Sequence, residues 1–296
     1  ENRIPTPAEL NQMRTLIHQA MKEGALGLAS ALIYAPGCFA STEELIELSK
    51  VVSEYNGIYI SHLRSEGSRL IEAVDEFLHI VREANVRGEI YHLKALGERN
   101  WSKIDEVLKK VDAARANRFH VTADVYPYIA NATGLDASMP PWVQEGGHWR
   151  WVERLKDPAV RTRLRHEIST FQDNWEIMYQ ECRGGKNIIF YGFKNEVLKS
   201  FTGKTLAEVS ALRGTDEIDT MIDLVIEDDS RVDTIYLTMT EANLRKELQK
   251  PWVCLGTDAD SQSPKGVFLK SSVHPRAYGT FARFLGKYIR DEKIMP

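Results

Sequence analysis

Residues 58–92 read IYISHLRSEGSRLIEAVDEFLHIVREANVRGEIYH. A short apolar run, Ile58-Tyr59-Ile60-Ser61, closes on His62. Leu70, Val74, Phe77, Leu78 and Val81 then recur at the spacing that gives a helix one apolar face. Glu89-Ile90-Tyr91 repeats the apolar run and closes on His92. Strand, helix and strand follow within about thirty residues, the length of a βαβ unit with its crossover helix. Alternation of this kind predicts a parallel sheet.

The pattern extends to both sides. Upstream, Thr6-Pro7-Ala8-Glu9 reads as a capping box with proline at the first helical position. Leu10, Met13, Leu16, Ile17 and Ala20 continue that helix, and Leu26 to Tyr34 reads as a strand. Ser41-Thr42-Glu43-Glu44 reads as a second capping box, and Asn56-Gly57 ends its helix. Downstream, Ser102 to Arg115 is expected as helix and Phe119 to Val125 as strand. After Leu135 the rhythm changes. Trp142, Trp149, Trp151 and Trp175 stand among charges in a region read as an insertion or lid. Lys186–Phe193 and Asp233–Met239 look strand-like, with helices expected around Leu206–Arg213 and Asp216–Glu227. A last short strand, Trp252 to Leu255, leads to Asp258, and a helix is expected near Tyr278–Arg290. The expected division is residues 1–138 as βα units, 139–250 as the inserted lid region with further α/β elements, and 251–296 as the last strand and its helix.

Composition narrows the function classes. The 296 residues carry 38 Lys+Arg against 42 Asp+Glu, a net charge of −4. That balance favours neither nucleic acid nor an anionic membrane surface as a partner. Three cysteines, Cys38, Cys182 and Cys254, are odd in number and far apart, so a disulfide framework is not expected and a cytoplasmic, reducing location is favoured. Cys254 is expected to be buried in its strand. No apolar run is long enough for a membrane span.

His62 and His92 end successive strands, and Asp258 follows a third. In a closed α/β barrel the chemistry gathers at these C-terminal strand ends. Two imidazoles and a carboxylate converging there suit a divalent metal such as zinc, with the acid as general base. Either histidine alone reads more naturally as structural; two at matching positions shift the balance. His18, His79, His120, His148 and His166 read as structural or solvated.

Six stretches carry a family resemblance: Gly24-Ala25-Leu26-Gly27-Leu28, YISHLRSEG (59–67), YHLKALG (91–97), DVYPY (124–128), LGTD (255–258) and HPRAYGTF (274–281). Together they resemble the D-aminoacylases, the N-acyl-D-amino-acid deacylases of the amidohydrolase superfamily, over nearly the whole chain. The resemblance implies a metal-dependent (β/α)8 TIM barrel with zinc as cofactor and a small-molecule N-acyl-D-amino acid as substrate. It makes His62 and His92 metal ligands. It makes Asp258 the catalytic group that takes a proton from the attacking water and passes it to the leaving nitrogen. It places Tyr34, Lys94 and Arg276 around the substrate carboxylate, a charge-assisted clamp. A hydroxyl usual after Tyr128 is replaced by Ala132, with Thr133 beside it. The family's His-x-His pair is absent from these residues, and Cys38 lies in a different segment from the family's metal-binding cysteine. The residues correspond to a partial barrel, about strand 4 to strand 8, so a piece of a longer enzyme is expected. A cyclic-amide hydrolase of the hydantoinase type and a non-catalytic remnant are the alternatives.

Overall fold

The computed structural model describes residues 2–267 and 272–295. Eight strands occur among them: β1 (Gly27–Ala31), β2 (Ile58–His62), β3 (Arg87–Ile90), β4 (Val121–Val125), β5 (Asn131–Gly134), β6 (Ile188–Gly192), β7 (Asp233–Tyr236) and β8 (Val253–Leu255). Five form one parallel sheet in the order β1-β2-β3-β4-β8. The register sets Ala31 beside His62, Ser61 beside Ile90, and Val125 beside Leu255. The corresponding strand ends therefore open on one rim.

The helices between these strands form for local reasons. Helix α1 (Pro7–Lys22) starts on the complete capping box: Thr6 Oγ1 accepts from the Glu9 amide, and the Glu9 carboxylate accepts from the Thr6 amide at 2.7 Å. At α2 (Thr42–Glu54), Ser41 Oγ accepts from the Glu44 amide at 3.1 Å. Helix α3 (Leu70–Ala84) stops at Asn85, which is left-handed at φ 48°. Helix α4 (Ile104–Ala116) completes the set.

Val74, Phe77, Ile80 and Val81 of α3 and Val107, Leu108 and Val111 of α4 are buried in one core with Ile90, Val121 and Ala123 of the sheet. Each of the Val, Leu, Ile and Phe side chains among them contributes roughly 1.5–3 kcal/mol by leaving water. Gly88 of β3 is a close-approach position: a Cβ there would lie 2.4 Å from Val81 Cγ2 and 2.8 Å from Phe77 Cζ. The missing methyl lets α3 seat on the strand.

Strands β5, β7 and β6 make a separate antiparallel sheet in that order, pairing Asn131 with Tyr236 and Ile188 with Tyr236. The strand-like runs at Lys186–Phe193 and Asp233–Met239 thus shorten to β6 and β7 and lie outside the parallel sheet. Asn131–Gly134, with its Asn, Thr and Gly, carries no apolar alternation; it is a strand because β7 pairs with it. This second sheet and its helices hold their own core, including Leu135, Trp151, Phe190, Met221 and Leu224. Among the described residues no helix is long and apolar enough to cross a membrane.

Candidate active site

The rim of the parallel sheet and the second sheet enclose a cavity of about 900 Å³. All six residues singled out above line it: Tyr34, His62, His92, Lys94, Asp258 and Arg276. His62 is the last residue of β2. His92 lies two residues past β3 and is left-handed at φ 36°; Asp258, three residues past β8, is left-handed at φ 46°. Neither residue is glycine, so each carries backbone strain of order 1–3 kcal/mol, a cost typical of functional positions. The Asp124 carboxylate accepts from the His92 amide at 3.1 Å and holds that turn. Burial pushes the Asp124 carboxyl up to about 6.

The two imidazoles meet edge to face. His62 Nδ1 lies 3.0 Å from His92 Nε2. Beside them sits Glu66, in the loop after β2. Its Oε1 is 3.1 Å from His92 Nδ1 and 2.7 Å from Lys94 Nζ; its Oε2 is 3.7 Å from His62 Nε2. Lys94 Nζ also reaches His92 Nδ1 at 2.6 Å. Glu66 and Lys94 side chains are each 3% exposed, so this is a fully desolvated ion pair. Burial works against the Glu66 charge, but Lys94 and the two imidazoles outweigh it and hold the carboxyl well below the usual range. Burial likewise works against the Lys94 ammonium, and Glu66 outweighs it. Burial drives His62 down to about 3, so its ring is neutral at neutral pH.

The cluster fits a divalent cation. His62, Glu66 and His92 each offer a donor atom, all within 4.8 Å of one another. His62 Nε2 is buried with no hydrogen-bond partner. Two bonds of 2.0–2.1 Å at a tetrahedral angle separate their nitrogens by roughly 3.4 Å, so the facing pair needs to open by only a few tenths of an ångström.

Asp258 stands outside this cluster. Its Oδ2 lies 2.7 Å from Arg276 Nη1, within ion-pair range but without hydrogen-bond alignment; Nη1 and Nε of Arg276 are buried with no aligned acceptor. The guanidinium lies over the Tyr126 ring at 4.6 Å, and the Lys94 ammonium lies 5.7 Å from the same ring. Tyr34 donates to, or accepts from, Thr133 Oγ1 at 2.8 Å, and Arg231 lies over its ring at 5.1 Å. Burial raises the Tyr34 phenol, which stays neutral. Thr133 lies on β5, so the second sheet holds the Tyr34 hydroxyl in place.

Sequence reasoning missed Glu66 and Tyr126 as parts of the site. Glu66 carried a signal: it lies four residues after His62, within the quoted 59–67 stretch. Cys254 was expected to be buried, but it is exposed and lines the cavity. Its strand is at the end of the sheet, where the alternate residue faces the open side.

No protein-family model matches the chain. Over 294 residues it is 30% identical to a D-aminoacylase of Alcaligenes xylosoxydans xylosoxydans, a match covering 99% of this chain and 49% of that protein. The chain thus spans about half the length of the curated relatives it matches. A solved structure of D-aminoacylase, described as defining a novel subset of amidohydrolases, matches with a TM-score of 0.74 and 27% identity, over 100% of this chain and 50% of that one. An N-acyl-D-glutamate deacylase from Bordetella bronchiseptica, solved with zinc and a phosphonate mimic of the tetrahedral intermediate, shares the fold at a TM-score of 0.75 and 24% identity, over 100% and 51% of the two chains.

Proposed function

We propose that this chain, whose sequence and structure fit the D-aminoacylase family, supplies the larger part of an active site that hydrolyses the amide of N-acyl-D-amino acids. Its five-stranded parallel sheet is read as the later strands of a (β/α)8 barrel, with residues 139–250 as the lid. The observation that carries the reading is the facing His62 and His92 nitrogens, 3.0 Å apart, in one cavity with the Asp258–Arg276 pair. His62 and His92 are the residues that would hold the metal. Zinc suits a pair of imidazole nitrogens, and the Bordetella deacylase of the same fold was solved with zinc. When bound there, the ion supplies Lewis acidity toward the acyl carbonyl and toward water.

The chain's own residues do the rest. Arg276 and Lys94 present two cations to the substrate carboxylate, and Tyr34 adds a hydroxyl. Both cations lie against the ring of Tyr126, which sets their positions. A bound carboxylate satisfies the unaligned Arg276 Nη1 and competes with Asp258 for it. Asp258, so released, accepts the proton of the attacking water and returns it to the leaving nitrogen, a step worth typically 10²–10⁴ in rate. Anchoring the carboxylate on one wall fixes which face of the α-carbon turns to the histidines, which gives the D preference.

Asp258→Asn tests this. Hydrolysis of N-acetyl-D-methionine by the zinc-loaded protein is expected to vanish while zinc binding persists; undiminished turnover ends the assignment. The hydantoinase alternative needs a lysine free to be carboxylated, whereas Lys94 is held as an ammonium by Glu66.

A further inference from the structure

We infer that Glu66 is a positioning residue shared by both histidines: one carboxylate that holds the outer nitrogen of each ring, so that both inner nitrogens present bare lone pairs to a cation. The inference rests on reading His62 and His92 as the metal pair.

The geometry is a circuit that is hydrogen-bonded on the His92 side and open on the His62 side. Oε1 of Glu66 faces His92 Nδ1 at 3.1 Å, and Oε2 faces His62 Nε2 at 3.7 Å. The remaining nitrogens, His92 Nε2 and His62 Nδ1, face each other at 3.0 Å. A neutral imidazole carries one proton, on one nitrogen or the other. If both protons point outward to Glu66, the inner nitrogens oppose each other with lone pairs only. A cation between them satisfies that arrangement. A carboxylate behind a metal-binding imidazole fixes its tautomer and raises its basicity; here a single buried carboxylate serves two rings. The orphaned Nε2 of His62 marks the half of the circuit that is open, since 3.7 Å is too long for a hydrogen bond.

Lys94 supplies the other state. Its Nζ lies 2.6 Å from His92 Nδ1, close enough to donate there. In that tautomer His92 carries its proton on Nε2 and donates it to His62 Nδ1, and no cation is needed. Moving the His92 proton from Nε2 to Nδ1 bares Nε2 for the cation. It also frees the Lys94 N–H that pointed at Nδ1, while the bond from Lys94 to Glu66 remains. Cation binding therefore arms Lys94 for the substrate carboxylate.

The test is zinc affinity of the whole protein, measured by competition with a chromophoric chelator. Glu66→Gln is expected to weaken binding by about 10–100-fold. The double variant Glu66→Gln/Lys94→Met, which leaves no buried charge unpaired, is expected to show the same loss. Cobalt(II) substituted at saturation reads the ligand set, and its visible absorption is expected to match wild type in both variants. A loss smaller than threefold in the double variant overturns the inference. So does a changed cobalt spectrum at saturation, which would mark Glu66 as a direct ligand. His62→Ala/His92→Ala tests the underlying reading separately: retained zinc affinity in that variant removes the metal pair itself.

Discussion

Replacing Lys94 with methionine removes one half of the buried Glu66–Lys94 pair. The partners are 2.7 Å apart, and both side chains are 3% exposed. At an effective dielectric of about 20, their attraction is roughly 6 kcal/mol. Most of that offsets the desolvation of two ions, so the pair's net worth is far smaller. The single variant behaves differently, because it leaves a buried carboxylate uncompensated. A loss of about 3–5 kcal/mol of folding stability is expected at pH 7. The assay is urea denaturation of the metal-free protein, with chelator present throughout. Glu66→Gln/Lys94→Met discards both charges and is expected to recover about half of that loss.

The pH dependence carries the sign. In wild type, the folded-state Glu66 carboxyl lies below its unfolded value, so its stabilisation is present above the unfolded pKa and is lost as pH falls. In Lys94→Met, burial is no longer outweighed by Lys94. The carboxyl rises above its unfolded value of about 4.3. The variant then gains stability as pH falls from neutral toward that value, and the gap to wild type narrows. A single-variant cost below about 1 kcal/mol, or a gap unchanged between pH 7 and 5, refutes the reasoning.

Other expectations follow from single features. Gly88→Ala forces a methyl within 2.4 Å of Val81 and is expected to cost about 1–3 kcal/mol by overpacking, read as a lowered melting temperature. Glu176 is only half buried as a residue, but its Oε2 is shut off from solvent, and burial, helped by the Glu66 charge, pushes its carboxyl up to about 7. A carboxyl raised on folding stabilises at low pH, so wild type is expected to lose at most about 3 kcal/mol as pH rises from 5 through 7 to 8, and Glu176→Gln to lose this slope. Unchanged urea midpoints in that comparison argue against it. Asp233 and Asp260 line the cavity, and its two lysine or arginine cations among the described residues, Lys94 and Arg276, already face carboxylates. Turnover of N-acetyl-D-glutamate is therefore expected at least about tenfold below that of N-acetyl-D-methionine in kcat/KM, a difference of about 1.4 kcal/mol. Asp233→Asn is expected to narrow that ratio, and an equal or reversed preference in wild type contradicts the acidic wall.

The parallel half of the fold was legible because its signals are local. A threonine or serine three residues before a glutamate caps a helix wherever the chain runs. An apolar run that closes on a histidine, twice at one spacing, sets both rings at one rim once a parallel sheet is granted, since equivalent positions of parallel strands share an end. Asp258 was named from its place after a strand, and Tyr34, Lys94 and Arg276 from the family resemblance; the structure brings all four to the cavity of the histidines. Cys254 was misjudged because strand character alone does not say which face of an end strand is covered.

What the amino-acid order determined by itself is which segments become strands and helices of the parallel sheet, and which residues end its strands. What only the tertiary structure decided is company. Asn131–Gly134 is a strand because Tyr236, a hundred residues away, pairs with it. Asp258 lies beside Arg276 and outside the His62–Glu66–His92 cluster. Glu66 reaches two imidazoles and an ammonium only because β2 and β3 are neighbours and the loop between β2 and α3 folds back over both. Periodicity specifies a face, whereas burial of a charge depends on every group packed around it, and those groups come from segments far apart in the chain.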